Sequence, residues 1–199
     1  MVILQRQFIT AFLCSFCLMV YANNGYDVVG DTIGTQIWMT QNLDVIVFQN
    51  GDSIPYAGTA EEWIKAAEEK KPAWSYCSQD TIPNCGVLYN WYAVSDPRGL
   101  ATKGWRVPSI DDFSRLIETL GGHDELAKLI DKEKWEAFKQ WKEVQESQYK
   151  FKALPCGIKN AEGSTRLEGI EIFSIWANTE NQQKNDCAYY LTIDQFFRM

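Results

Sequence analysis

Ser109-Ile110-Asp111-Asp112-Phe113-Ser114-Arg115-Leu116-Ile117-Glu118-Thr119-Leu120-Gly121-Gly122 carries every signal of a helix packed on a core. Ser109 is an N-cap, and Asp112 occupies the third helical position, where a carboxylate meets the free amides of the first turn. Ile110, Phe113, Leu116, Ile117 and Leu120 fall on one stripe at spacings of three and four. Gly121-Gly122 supplies the left-handed stop. A second helix is marked as firmly: Thr59 and Glu62 form a capping box, Ala60, Trp63, Ile64 and Ala67 share a face, and Pro72 closes the segment.

Outward from these helices the pattern turns to short alternating runs. Tyr26 to Asp31 begins one; Thr35 to Met39 and Asp44 to Phe48 read as strands, with Asn50-Gly51-Asp52 as a turn. Strand character returns over Tyr149 to Leu154, Ile170 to Trp176 and Cys187 to Ile193. Between them, Asp124 to Glu146 reads as an extra charged helix with a break near Asp131. Trp135, Phe138 and Trp141 lie on its inner face, and Lys132/Glu136 and Lys139/Glu143 pair on a solvated one. Helices separated from strands, with no repeat or linker, predict one α+β domain over residues 23–199.

The N-terminus predicts export. Arg6 is the only charge before Asp27, the run from Phe8 to Tyr21 is apolar, and Val20-Tyr21-Ala22 suits signal peptidase, so residues 1–22 read as a leader cut after Ala22. An apolar run of 14 residues is short of the roughly 20 a membrane span needs, so no stable span is expected. Losing Arg6 takes the net charge from −7 to −8. That balance repels phosphate backbones and anionic lipid, and argues against nucleic acid as a partner.

Cys77, Cys85, Cys156 and Cys187 remain after the leader. An even count in an exported chain reads as disulfides with three connectivities. Cys77–Cys85 is favoured because it closes a short loop, with Cys156–Cys187 following by default. No CxxC motif and no cofactor motif is present, and no metal site is expected.

Three blocks in order resemble the Fibrobacter succinogenes major paralogous domain family: Ile33-Gly34-Thr35-Gln36-Ile37-Trp38-Met39-Thr40-Gln41-Asn42-Leu43; Gly86-Val87-Leu88-Tyr89-Asn90-Trp91-Tyr92-Ala93 with Leu100-Ala101-Thr102-Lys103-Gly104-Trp105-Arg106-Val107-Pro108-Ser109; and Phe151-Lys152-Ala153-Leu154-Pro155-Cys156-Gly157. The resemblance implies an exported or surface protein of Bacteroidetes-type bacteria. It also implies a C-type-lectin-like, formylglycine-generating-enzyme-like fold, with two main helices beside small antiparallel sheets. It carries no agreed activity and no catalytic residues. This sequence departs from the family pattern at Cys156, where a glycine is usual, and it stops at Met199 before the family's closing strand, which predicts an open sheet edge.

Weighed for chemistry, the titratable residues read as structural. His123 sits at a helix end without a nucleophile motif, and Asp111 and Asp112 lie in a first turn. The tripeptides of calcium-dependent lectins are absent. Cysteine chemistry of formylglycine-generating type would need Cys156 and Cys187 as thiols. Aromatic residues are the abundant resource, with eight Trp, nine Tyr and ten Phe. Most fall in fold-defining motifs or on apolar helix faces. Those left to bind a ligand are Trp74, Tyr76 and Tyr89 near Cys77 and Cys85, and Trp176 with Asn178 near the C-terminal strands. The expectation is therefore a non-enzymatic binding or adhesion module for a glycan or a surface protein. The loops after Gly51 and around 160–168 and 178–186 are expected to set specificity. A formylglycine-generating-type enzyme and a purely structural surface component are the alternatives.

Overall fold

A computed structural model describes residues 4–5, 29–77, 84–136, 147–166, 172–180 and 188–194. The leader beyond residues 4–5, Cys187, Phe138 and Trp141 lie outside these residues, as does most of the 178–186 loop.

The described chain is α+β. Strands β1 (Leu4–Gln5), β2 (Gly30–Ile33) and β3 (Gln36–Met39) precede helix α1 (Ala60–Glu68); β4 (Trp74–Tyr76) and β5 (Val87–Tyr89) follow, then the single turn α2 (Trp91–Val94). Next come β6 (Trp105–Arg106), α3 (Ile110–Leu120), a 3-10 segment His123–Leu129 and α4 (Lys132–Glu136). The chain continues through β7 (Ile158–Lys159), β8 (Thr165–Arg166), β9 (Ile172–Glu180) and β10 (Ala188–Asp194). The sheets are small and antiparallel: β2-β3-β1-β6, and the ribbons β4-β5, β7-β8 and β9-β10.

Both capped helices form as their sequences dictate. The Thr59 hydroxyl accepts the Glu62 amide while Glu62 accepts the Thr59 amide, closing the capping box of α1. In α3, Gly121 adopts a left-handed φ of 108°, and the Gly122 amide reaches back to the Ile117 carbonyl, a Schellman ending. Phe113, Leu116 and Leu120 are buried on the predicted stripe. The 124–146 segment is not one continuous helix where described. The 3-10 turn ends at Ile130, which is extended (φ −76°, ψ 139°) and bridges Ala153, and α4 restarts at Lys132. Two strand readings give way to loops: within 44–48 only Val47 bridges, to Ser53, and within 149–154 only Ala153 bridges, to Ile130. Residues 149–152 alternate in polarity and 45–48 are an apolar run, but single bridges and the burial of Phe48 and Phe151 take the place of a ladder.

Trp38 is fully buried at the centre of the core, 6.1 Å from Phe113 in a stacked pair and 6.2 Å edge-on from Phe151, which itself meets Phe173 at 6.0 Å. The first sheet, α3 and β9 are thus held by one aromatic chain. Beside it, the fully buried Asp112 accepts hydrogen bonds from Arg106, Arg115 and the Ser109 amide and hydroxyl. Burial alone would raise its pKa, but the guanidinium and cap hydrogen bonds outweigh that and hold the carboxyl well below the ordinary range.

Two further features concern the N-terminus and the cysteines. Leu4–Gln5, within the expected leader, pairs on one side with Trp38 and on the other with Trp105 and Arg106. A chain cut after Ala22 gives up this strand, and the facing backbone groups of β3 and β6 must find other partners. The disulfide joins Cys85 to Cys156, with Cα atoms 5.5 Å apart, in place of the expected Cys77–Cys85 and Cys156–Cys187 pairs. The register that sets Tyr76 against Val87 continues to Gly86, not Cys85, opposite Cys77. Cys77 is buried with its sulfur against the Cys156 carbonyl.

Asp112→Asn is expected to destabilise the protein by about 2–4 kcal/mol at pH 7, discounted because Arg106 and Arg115 remain partly exposed. Because the folded carboxyl titrates lower than an unfolded one, its contribution is complete above about pH 4 and fades below. Urea unfolding at pH 7 and pH 3 checks this: the gap between variant and parent narrows in acid. Replacing Cys85 and Cys156 together by serine opens a loop with a sequence separation of 71. The same assay should register a loss of about 4 kcal/mol, and non-reducing peptide mapping should recover a Cys85–Cys156 crosslink.

Candidate functional site

Residues on β9 alternate between two faces. Phe173, Ile175 and Ala177 turn into the core, so Ser174, Trp176 and Asn178 take the other side. Trp176 stands opposite Tyr190 in the β9-β10 register, their rings 5.9 Å apart and edge-on. The Trp176 indole is fixed by a 3.0 Å hydrogen bond from Nε1 to the Tyr89 carbonyl and lies 6.0 Å from Trp91.

These side chains form one wall of a cavity of about 260 Å³. β5 forms a second wall, and the β7-β8 hairpin from Gly157 to Ala161 a third. Trp63 of α1 completes it, its Nε1 donating to the Asn160 carbonyl at 3.1 Å. The hairpin turn is closed by the Gly163 amide on the Asn160 carbonyl and by the Ser164 amide on Asn160 Oδ1. Gly163 has φ +71°, and a Cβ there would come within 2.5 Å of the Ala60 Cα, so only glycine lets the hairpin sit this close to α1.

One cation enters this aromatic setting. Lys159 Nζ donates to Ser75 Oγ at 3.0 Å and to the Ala57 carbonyl at 3.2 Å, and lies 4.9 Å from the centre of the Trp63 ring. Burial pushes its pKa below the ordinary lysine value, with the Glu62 charge opposing the shift.

Of the aromatic residues singled out from sequence, Trp176 and Tyr89 meet at the cavity. Tyr89 contributes backbone and a buried ring, its hydroxyl donating to the Val45 carbonyl at 2.7 Å; burial, then the Asp44 charge, pushes that phenol far above its usual range. Trp74 and Tyr76 do not join them. They stand on the other face of the β4-β5 ribbon from Ser75, where Trp74 is buried and Tyr76 packs with Tyr56 as an exposed aromatic cluster. Asn178 is exposed on the Trp176 face beyond the cavity, its amide bonded to the Pro108 carbonyl. The Gly51 loop is tied down by Arg98, which pairs with Asp52 and Asp96 and covers the Phe48 ring.

Trp63, Lys159, Ser174 and Tyr190 were not singled out as site residues. Trp63 reads as core, which it also is, and strand alternation from Leu191 and Ile193 could have turned Tyr190 outward. Lys159 carries no local signal.

The remaining titratable candidates lie away from the cavity. His123 is exposed at the start of the 3-10 turn, and Asp112 is consumed by the α3 cap. Cys156 is crosslinked, so its sulfur is no thiolate nucleophile. Among the described residues, no three His, Cys, Asp or Glu side chains gather as a metal-holding group, and no helix is long and apolar enough to cross a membrane.

Comparison with known proteins adds one match. No curated protein and no solved structure matches the chain significantly. The sequence model of the Fibrobacter succinogenes major domain matches residues 32–199, which takes in the capped helices, the crosslink and all the cavity walls. The chain therefore belongs to the Fibrobacter succinogenes major domain family.

Proposed function

We propose that this chain is an exported, surface-associated binding module of lectin-like architecture, and that the cavity beside Trp176 is its ligand site. The observation that carries the reading is a tryptophan held by hydrogen bond at the edge of a ring-sized cavity, with Tyr190 and Trp63 beside it. An indole already immobilised loses little entropy when a ligand stacks on it. The cavity is slightly smaller than the roughly 300–1,000 Å³ of pockets that enclose a drug-sized molecule, so it suits one sugar ring or one protein side chain. Two capped helices beside small antiparallel sheets support the lectin-like assignment. The apolar N-terminal run and a disulfide support maturation in an oxidising compartment.

A glycan array probed with the protein and with Trp176→Ala tests the ligand site. Expected is binding to a defined subset of saccharides that falls at least tenfold in the variant; because Trp176 also packs on Trp91 and Tyr190, melting curves taken alongside separate lost binding from lost folding. A flat array, or binding indifferent to Trp176, would favour a structural role. Export is checked by intact mass of protein from the native cell. A chain starting at Asn23 is expected, and retention of Met1 would instead make Leu4–Gln5 a permanent strand of the sheet.

A further inference from the structure

We propose that the cavity selects an acidic sugar, its carboxylate paired with the Lys159 ammonium and its ring against Trp176. This rests on the ligand-site reading above and adds the chemistry of the ligand.

Among the described residues Lys159 has no anionic partner. Its two hydrogen bonds go to neutral acceptors, Ser75 Oγ and the Ala57 carbonyl. An ammonium has three donors, so among the described residues one N–H remains for an anionic partner. Among the described residues no carboxylate lies within ion-pair distance of Nζ. The carboxylate that acts on it through space is Glu62, and that group is committed to the α1 cap, where Oε2 accepts the Gly58 and Thr59 amides at 2.9 and 3.0 Å. Partial burial costs the ammonium hydration that neutral acceptors and an indole face repay only in part, where a neutral amide could tie the same strands together. Lys159 has the placement of a group that waits for an anion.

The surroundings narrow that anion. Trp176, Tyr190 and Leu88 offer mainly apolar surface, so the carboxylate must belong to a group with an apolar face. A pyranose meets this need, its C–H face on an indole and its carboxyl at the rim. About 260 Å³ is room for one ring or one side chain, and a single ring fills it. The chain's net charge of −7 opposes long polyanions, which favours a single terminal uronate over a polyuronate run.

Titration calorimetry on the full mature chain tests this with glucuronate- and galacturonate-terminated disaccharides, each beside its carboxyl-reduced counterpart. At least one acid is expected to bind tenfold or more tightly than its reduced form. Lys159→Met should erase that preference, Lys159→Arg should retain it, and Trp176→Ala should weaken both forms. Melting curves for the two Lys159 variants separate lost binding from lost folding. Equal binding of acid and reduced sugar, or a preference that survives Lys159→Met, overturns the acidic-sugar inference and leaves the ligand site standing. No binding of either form, together with a flat glycan array, overturns both.

Discussion

The Cys85–Cys156 crosslink sets the geometry on which the cavity depends. β5 begins two residues after Cys85 and β7 two residues after Cys156, so one covalent bond fixes the spacing of two cavity walls. Hydrogen bonds extend the constraint in both directions. The Val87 amide bonds the Leu43 carbonyl, Asn42 donates to the Cys85 carbonyl at 3.0 Å, and the Gly157 amide meets the Ile172 carbonyl where β9 starts. The oxidation state of two sulfurs is therefore coupled to the shape of a site that neither sulfur lines.

The β9 wall is held from its other end by the helical base. The Asn178 amide bonds the Pro108 carbonyl, and the Thr179 hydroxyl accepts the Ile110 amide, so the end of β9 is stitched to the N-terminus of α3. That terminus is itself cross-bonded through Ser109, Asp112 and two arginines. Trp176 thus sits midway along a strand clamped by the crosslinked region at its start and by a charged cap at its end. Losing either clamp would let the strand shift, and the indole would leave the Tyr89 carbonyl.

What could be read from the sequence follows from distance along the chain. Caps are local, so Thr59/Glu62, Ser109/Asp112 and Gly121 were legible to the residue. The strand readings at 35–39, 170–176 and 187–193 overlap β3, β9 and β10, although β9 runs on to Glu180 into what reads as a loop, and those at 44–48 and 149–154 make single bridges, Val47 to Ser53 and Ala153 to Ile130, in place of a ladder. Pairing of cysteines 71 positions apart has no local correlate, and a short loop between Cys77 and Cys85 was a poor guide once strand register decided which side chains face each other. The cavity was half visible for the same reason. Trp176 and Tyr89 stand out by residue type, whereas Lys159 acquires meaning only when α1, β4 and β7 are brought together.

The hairpin at the rim completes the physical picture. A turn of small polar residues ordinarily offers a ligand a mobile lid, but this one is closed on itself through Asn160 and pressed against Ala60 at Gly163. Trp63 joins the two, donating to Asn160 from within α1. A site whose rim, walls and indole are all fixed before a ligand arrives gains affinity by avoiding the cost of ordering. It also loses the ability to adapt. If the cavity holds the proposed ligand, such rigidity makes selection depend on fit, and substitutions around residues 160–164 would change that fit at the rim.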